Sequence, residues 1–176
     1  MNLSPLIVWL ARTLALLGGV VLVAMTLVTV VSIIGRAMIS FGFGPVPGDY
    51  ELIEAGAAFA VFAFLPWCQL MRGHATVDVF TSFLPAAANR IIDLVSEALM
   101  TLAIILIAWR LWAGTVDKFN YGETTFILQF PVWWAYAVCV AAAAAGVIVS
   151  IYMLWVRIRE VMLGRSLLAP TQGGLH

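Results

Sequence analysis

Charged residues are scarce in this chain. Nine Lys or Arg and nine Asp or Glu make up 10% of its 176 residues and balance to a formal net charge of zero. A soluble domain carries about 25% charged residues, whereas 64% of this chain is hydrophobic. The composition therefore predicts an integral membrane protein, and the zero net charge gives no indication of binding to nucleic acid.

Histidine and cysteine are scarce as well, with two residues of each. Cys68 and Cys139 lie in apolar runs, where thiols are poor candidates for a disulfide, and their spacing is not that of metal ligands. Neither histidine lies in an apolar run, which excludes a membrane haem held by paired histidines. The sequence also lacks a clustered set of His, Cys and carboxylate ligands and a phosphate-binding glycine loop. We therefore expect no cofactor, no metal ion and no enzymatic activity.

Four long apolar runs predict an all-α integral membrane protein with four transmembrane helices. The uncharged run at 14–34 alone would span about 30 Å as a helix, which is enough for one crossing. This first run is too long for the core of a signal peptide, so we expect it to be retained. We predict one membrane domain over residues 1–176, with helices at 14–40, 50–71, 91–113 and 131–156, loops at 41–49 and 114–130, and a disordered tail at 166–176.

The region between the second and third apolar runs has its own pattern. Pro66 removes a backbone donor inside the second run and predicts a kink there. Arg72, Gly73 and His74 then form a polar turn, and Asp78 follows His74 at a spacing of four residues.

Apolar residues recur at helical spacing from 76 to 84, and Pro85 ends the pattern. This pattern predicts a short helix at 76–84 that lies on the cytoplasmic surface of the membrane.

The basic residues predict the orientation of the chain. One side of an even-numbered topology carries Arg12, Arg72, Arg90, Arg157, Arg159 and Arg165. The opposite side carries Lys118, Arg36 near a helix end and most of the acidic residues. By the positive-inside rule, we expect both termini in the cytoplasm.

Ionisable residues inside membrane spans are candidates for function, and here they are Arg36, Glu54, Glu97 and Arg110. Structural anchoring is favoured over transport chemistry because the centres of all four spans are apolar. Glu54 between Arg36 and Arg110 would fix the rotation of three helices. Alternatively, both arginines extend separately to the headgroups and Glu54 lies in water. Both arrangements fit the sequence.

Small residues predict close packing of helices at two places. Gly18 and Gly19 in the first run, and the stretch 141–146 in the last, would let a neighbouring helix approach closely. That neighbour can be a partner subunit or another helix of the same chain.

Two segments resemble one family. The first, PGDYELIEAGAAFAVFAFLPWCQLMRGHATVDVF at 47–80, resembles the second helix and cytoplasmic turn of the small (Q) subunits of tripartite ATP-independent periplasmic (TRAP) transporters. The second, GETTFILQFPVWWAY at 122–136, resembles the Gly-x-Thr-Thr that precedes a Pro-Trp helix start in that family. The positions that match the family pattern of the first segment are Glu54, Arg72, Gly73, His74, Val77 and Asp78.

The resemblance implies a role in the bacterial inner membrane. It implies a fixed scaffold beside a large (M) subunit, which carries the substrate and sodium sites and moves as an elevator. A periplasmic solute-binding protein would deliver an organic acid, and the outer loops, including Glu123, would face it. The expected partners are therefore the large subunit, the binding protein and the lipid bilayer. Two alternatives stay open: a self-sufficient proton-coupled transporter that uses Glu54 or Glu97, and a membrane anchor for an enzyme complex.

Overall fold

The computed structural model describes residues 4–71 and 86–163, without the side chains of residues 86, 87 and 90. Four α-helices in this part of the chain are long and apolar enough to cross a membrane. They are α1 (Pro5–Ala37), α2 (Asp49–Leu70), α3 (Ala86–Tyr121) and α4 (Val132–Leu163), with a short 3-10 helix at Ile39–Phe41 after α1. The predicted all-α membrane fold is confirmed. The predicted interfacial helix at 76–84 and the predicted tail at 166–176 lie outside the described residues.

The first helix begins nine residues before the apolar run at 14–34. The carbonyl of Ser4 accepts hydrogen bonds from the backbone N–H groups of Ile7 and Val8, at 3.0 and 3.2 Å. Pro5 suits the first turn, where its missing N–H has no helical partner to lose. The helix therefore includes the interfacial Trp9 and Arg12.

The third helix continues through residues 114–121, where the sequence predicted a loop. Gly114 belongs to this helix because the ring of Tyr136 on α4 packs over it, 3.3 Å from where a Cβ would be. Further along, the ring of Phe119 meets that of Trp133 edge-on, with their centroids 5.4 Å apart. These contacts with α4 stabilise two helical turns that lack a strong apolar pattern of their own.

The helices lie in the order α1, α2, α4, α3. The central helix α4 packs against both α2 and α3, while α1 packs on α2 and makes a smaller contact with α4. Within the described residues the backbones of α2 and α3 do not approach each other, and the two helices are joined by the side chains of Gln69 and Glu97. We call the end with residues 38–48 and 122–131 the loop end, and the opposite end, with the start of α1 and the end of α4, the terminal end.

Small residues on α4 allow α2 and α3 to pack closely against it. A Cβ on Gly146 would lie 3.9 Å from Ile104 of α3 and 3.9 Å from Pro66 of α2. Other small residues of this helix are buried as well: Ala142, Ala143 and Ala145. The smooth face predicted at 141–146 is therefore used largely for packing within the chain.

The two glycines predicted on α1 have different surroundings. A Cβ on Gly18 would lie 3.1 Å from the Cβ of Ala63, whereas a Cβ on Gly19 would meet nothing within 4 Å. Gly18 therefore allows α1 and α2 to approach closely, and Gly19 lies on an open surface.

Candidate interaction site at the loop end

Residues 124–131 form a closed turn, which we call the hairpin. Thr124 and Pro131 pair in a single antiparallel bridge, and the N–H of Thr125 donates to the carbonyl of Phe130 at 2.9 Å. Gln129 adopts a positive φ of 54°, which few residues other than glycine favour. The turn between α3 and α4 is thus held by its own hydrogen bonds.

Glu51 attaches the hairpin to the start of α2. Its two carboxylate oxygens accept the backbone N–H groups of Ile127 at 2.6 Å and Leu128 at 2.9 Å. Gly48 supports the same contact, because it has a φ of 74° and the side chain of Leu128 fills the space where its Cβ would be. No local pattern in the sequence indicates this role of Glu51.

A cavity of about 430 Å³ lies beside the hairpin, between the first turns of α2 and α4. Four aromatic side chains line it: Phe62, Phe126, Phe130 and Tyr136. Its other walls are Glu51, Glu54, Ala55, Ala58, Leu111, Thr125, Val132, Ala135 and Cys139. The cavity is therefore largely apolar and has two carboxylates at its edge.

A second contact at the loop end joins α1 to α2. Ser32 is 1% exposed, and its hydroxyl donates a hydrogen bond to Asp49 and accepts one from the N–H of Val46 at 3.3 Å. These hydrogen bonds of Ser32 join α1 to the first turn of α2 and the loop before it.

The three candidates Arg36, Glu54 and Arg110 do not meet directly. All three are exposed, and in the described part of the chain the ion pairs are Lys118–Glu123, Arg157–Asp93 and Arg157–Glu160. For Arg110 the helix order explains this result, because the backbone of α3, which carries Arg110, does not approach that of α2, which carries Glu54.

The remaining sequence candidates have varied surroundings. Glu123 forms an ion pair with Lys118 at 2.5 Å, which joins the residue before the hairpin to the last turn of α3. Pro66 is buried inside α2, which continues to Leu70. The other candidates lie outside the described residues: Arg72, Gly73, His74 and Asp78.

The terminal end has a polar cluster that the sequence did not indicate as a unit. Arg157 of α4 is 3.1 Å from Asp93 of α3 and 3.1 Å from Glu160, whose side chain is 3% exposed. Next to it along α3, Glu97 accepts a hydrogen bond from Gln69 of α2. The spacings in the sequence were the available signs, since Arg157 and Glu160 are three residues apart, Asp93 and Glu97 are four apart, and residues at these spacings share a helix face.

The polar contacts at the two ends of the bundle join its helices to one another. Among the described residues, no group of three His, Cys, Asp or Glu side chains is placed to hold a metal ion. The polar contacts at the two ends instead fix the relative positions of the four helices.

Comparison with known proteins agrees with the resemblance. Residues 25–160 match the family model described as tripartite ATP-independent periplasmic transporters, DctQ component. This family is a transporter component and not a family of enzymes. Searches of curated proteins and of solved structures found no match. The family match spans most of the chain, including parts of all four helices, and the chain therefore belongs to the DctQ family, the small membrane components of TRAP transporters.

Proposed function

We propose that the chain is a fixed scaffold for a larger membrane subunit in sodium-coupled uptake of an organic acid. In this proposal the larger subunit carries the substrate and sodium sites and moves as an elevator, and a periplasmic binding protein delivers the solute. The observation that carries the proposal is the family match over residues 25–160.

The distribution of charge supports a scaffold. The ionisable side chains of the described residues lie towards the two ends of the helices, and the levels between them are apolar. An ion-coupled transporter needs polar or ionisable groups along its pathway, and these usually face the interior of the bundle. The buried polar residues between the ends are hydroxyls such as Thr101, whose side chain donates to the carbonyl of Ser150 at 3.4 Å.

The exposed apolar surface supports a partner in the membrane. Along α1 and α3, large apolar side chains are exposed over the full length of each helix. Lipid and a second subunit can both cover such a surface. The cavity beside the hairpin adds a concave surface that a side chain of such a partner could enter.

The orientation is part of the proposal. Members of this family with four apolar helices are multi-pass proteins of the bacterial inner membrane. We place the terminal end, which carries Arg12 and Arg159, in the cytoplasm by the positive-inside rule. The hairpin, with Phe126 92% exposed, then faces the periplasm and the binding protein.

Purification of the tagged chain from its native membrane tests the proposal. Native mass spectrometry should show the chain in a stoichiometric complex with one larger polytopic subunit. A uniformly monomeric chain that transports solute by itself would contradict the scaffold role and favour the small-transporter alternative.

Cysteine labelling tests the orientation. Labelling of a cysteine introduced at Asn120 from outside the cell would support the proposed orientation, and labelling only from the cytoplasm would reverse it.

A further inference from the structure

The cavity at the loop end combines aromatic walls with a carboxylate that has no partner. Glu51 uses both oxygens on the hairpin backbone. Glu54 is exposed at the cavity, and among the described residues it forms no ion pair, since the pairs there involve other acids. One carboxylate at the cavity is therefore engaged, and the other is available to a ligand.

The position of Glu54 makes an unpaired charge costly. It lies five residues after the start of α2, which is about 7.5 Å along the helix axis. A carboxylate at this depth is close to the hydrocarbon region, where charged groups are usually paired. The two arginines of this chain at the same end, Arg36 and Arg110, do not form ion pairs with it.

The chemistry of the cavity favours a cation. Aromatic faces attract ammonium and guanidinium groups, and the cavity that Glu54 lines is also lined by Phe62, Phe126, Phe130 and Tyr136. A volume of about 430 Å³ is large enough for a long side chain. The helix α3 contributes only Leu111 to the lining.

We propose that this cavity receives a Lys or Arg side chain of the large membrane subunit, which pairs with Glu54. The inference rests on the proposed function, because it assumes that such a subunit packs against this chain beside the cavity. Charge complementarity selects the occupant: a basic group would neutralise the unpaired carboxylate, and its apolar stem would cover the aromatic walls. Arg and aromatic residues are enriched where protein surfaces meet.

Photo-crosslinking identifies the occupant. A photoreactive amino acid at Ala58, which lines the cavity, should form a covalent adduct with the large subunit in the assembled complex. The same group at Ala57 is the control, because Ala57 is also exposed but does not line the cavity. Adducts from position 58 with lipid alone would show an amine headgroup or acyl chain in the cavity and would overturn the proposal.

Charge variants test the ion pair. The affinity of each variant for the purified large subunit is measured in nanodiscs. Removing one partner of a buried charge pair weakens association by about 30-fold or more, so we expect at least that loss for Glu54→Gln and a larger one for Glu54→Lys. Glu123→Gln is the matched control, because it removes an acid that already pairs within the chain. A basic residue of the large subunit changed to Glu should restore binding of Glu54→Lys.

The results separate this inference from the proposed function. If the wild-type chain does not bind a large subunit, the scaffold role fails. If the wild type and Glu54→Gln bind the subunit equally well, the scaffold role stands and the cavity proposal is wrong. If Glu54→Gln does not fold, the crosslinks from positions 57 and 58 still show whether the large subunit occupies the cavity, because the rest of the chain is unchanged in those variants.

Discussion

Two neighbouring glycines on α1 should respond in opposite ways to the same substitution. Gly18 and Gly19 both lie in the interior of one helix, so replacing either by alanine brings the same gain in helix propensity, about 0.8–1 kcal/mol. Their surroundings differ. An added Cβ would lie 3.1 Å from the Cβ of Ala63 at position 18, and would meet nothing within 4 Å at position 19. The difference between the two variants therefore isolates the packing of α1 on α2.

The contact at Gly18 sets the size of the effect. Carbon atoms attract best at about 3.5–4.0 Å, and the Cβ of Ala63 cannot rotate away because it is fixed to the backbone of α2. The two helices must separate slightly, and such overpacking costs about 1–3 kcal/mol. We expect Gly19→Ala to be stabilising, and Gly18→Ala to be less stable than it by about 1–3 kcal/mol.

Thermal unfolding of the purified chain in detergent measures this difference. For a protein of this size, 1 kcal/mol corresponds to about 2–4 °C in Tm, so the two variants should differ by about 2–12 °C. Both variants carry one added methyl group, which makes each the control for the other. Equal stabilisation by the two substitutions would refute the close approach of α1 and α2 at Gly18.

Three further predictions concern the two ends of the bundle. Arg157→Ala should lower the free energy of unfolding by up to about 3–5 kcal/mol, because it removes Arg157 as a partner of the buried Glu160 carboxylate. Arg159→Ala should lower it by only about 0.5–1 kcal/mol, because it removes a contact with the ring of Trp155. Thermal unfolding of the two variants measures the difference. Gly48→Ala should destabilise the protein more than Gly42→Ala, because both have positive φ but only position 48 also faces a filled space, and equal melting temperatures would contradict this. Glu51→Ala should release the hairpin, with faster hydrogen exchange at residues 127 and 128 and unchanged exchange in α1.

The number and type of the helices could be predicted from the sequence. Each apolar run is long enough to cross a bilayer, and inside lipid a helix satisfies all of its backbone hydrogen bonds. The helix ends were less predictable. The run 114–121 contains Gly114 and charged residues, and it is helical because it packs against Tyr136 and Trp133 of α4.

The contacts between distant residues could not be predicted from one sequence. Glu51 is 76 residues from Ile127 in the chain, and no local pattern relates the two. The arrangement in which Arg36 and Arg110 flank Glu54, one of the two that fit the sequence, requires α1, α2 and α3 to be neighbours. The structure places α4 between α2 and α3, and neither composition nor spacing contains this helix order.

Uptake by proteoliposomes tests the central claim most directly. Liposomes containing this chain alone, the large subunit alone, or both are supplied with the binding protein loaded with its organic acid, under an inward sodium gradient. The scaffold role predicts sodium-dependent uptake when both membrane subunits are present, and none from this chain alone. Uptake by this chain alone, or full uptake by the large subunit without it, would contradict the account.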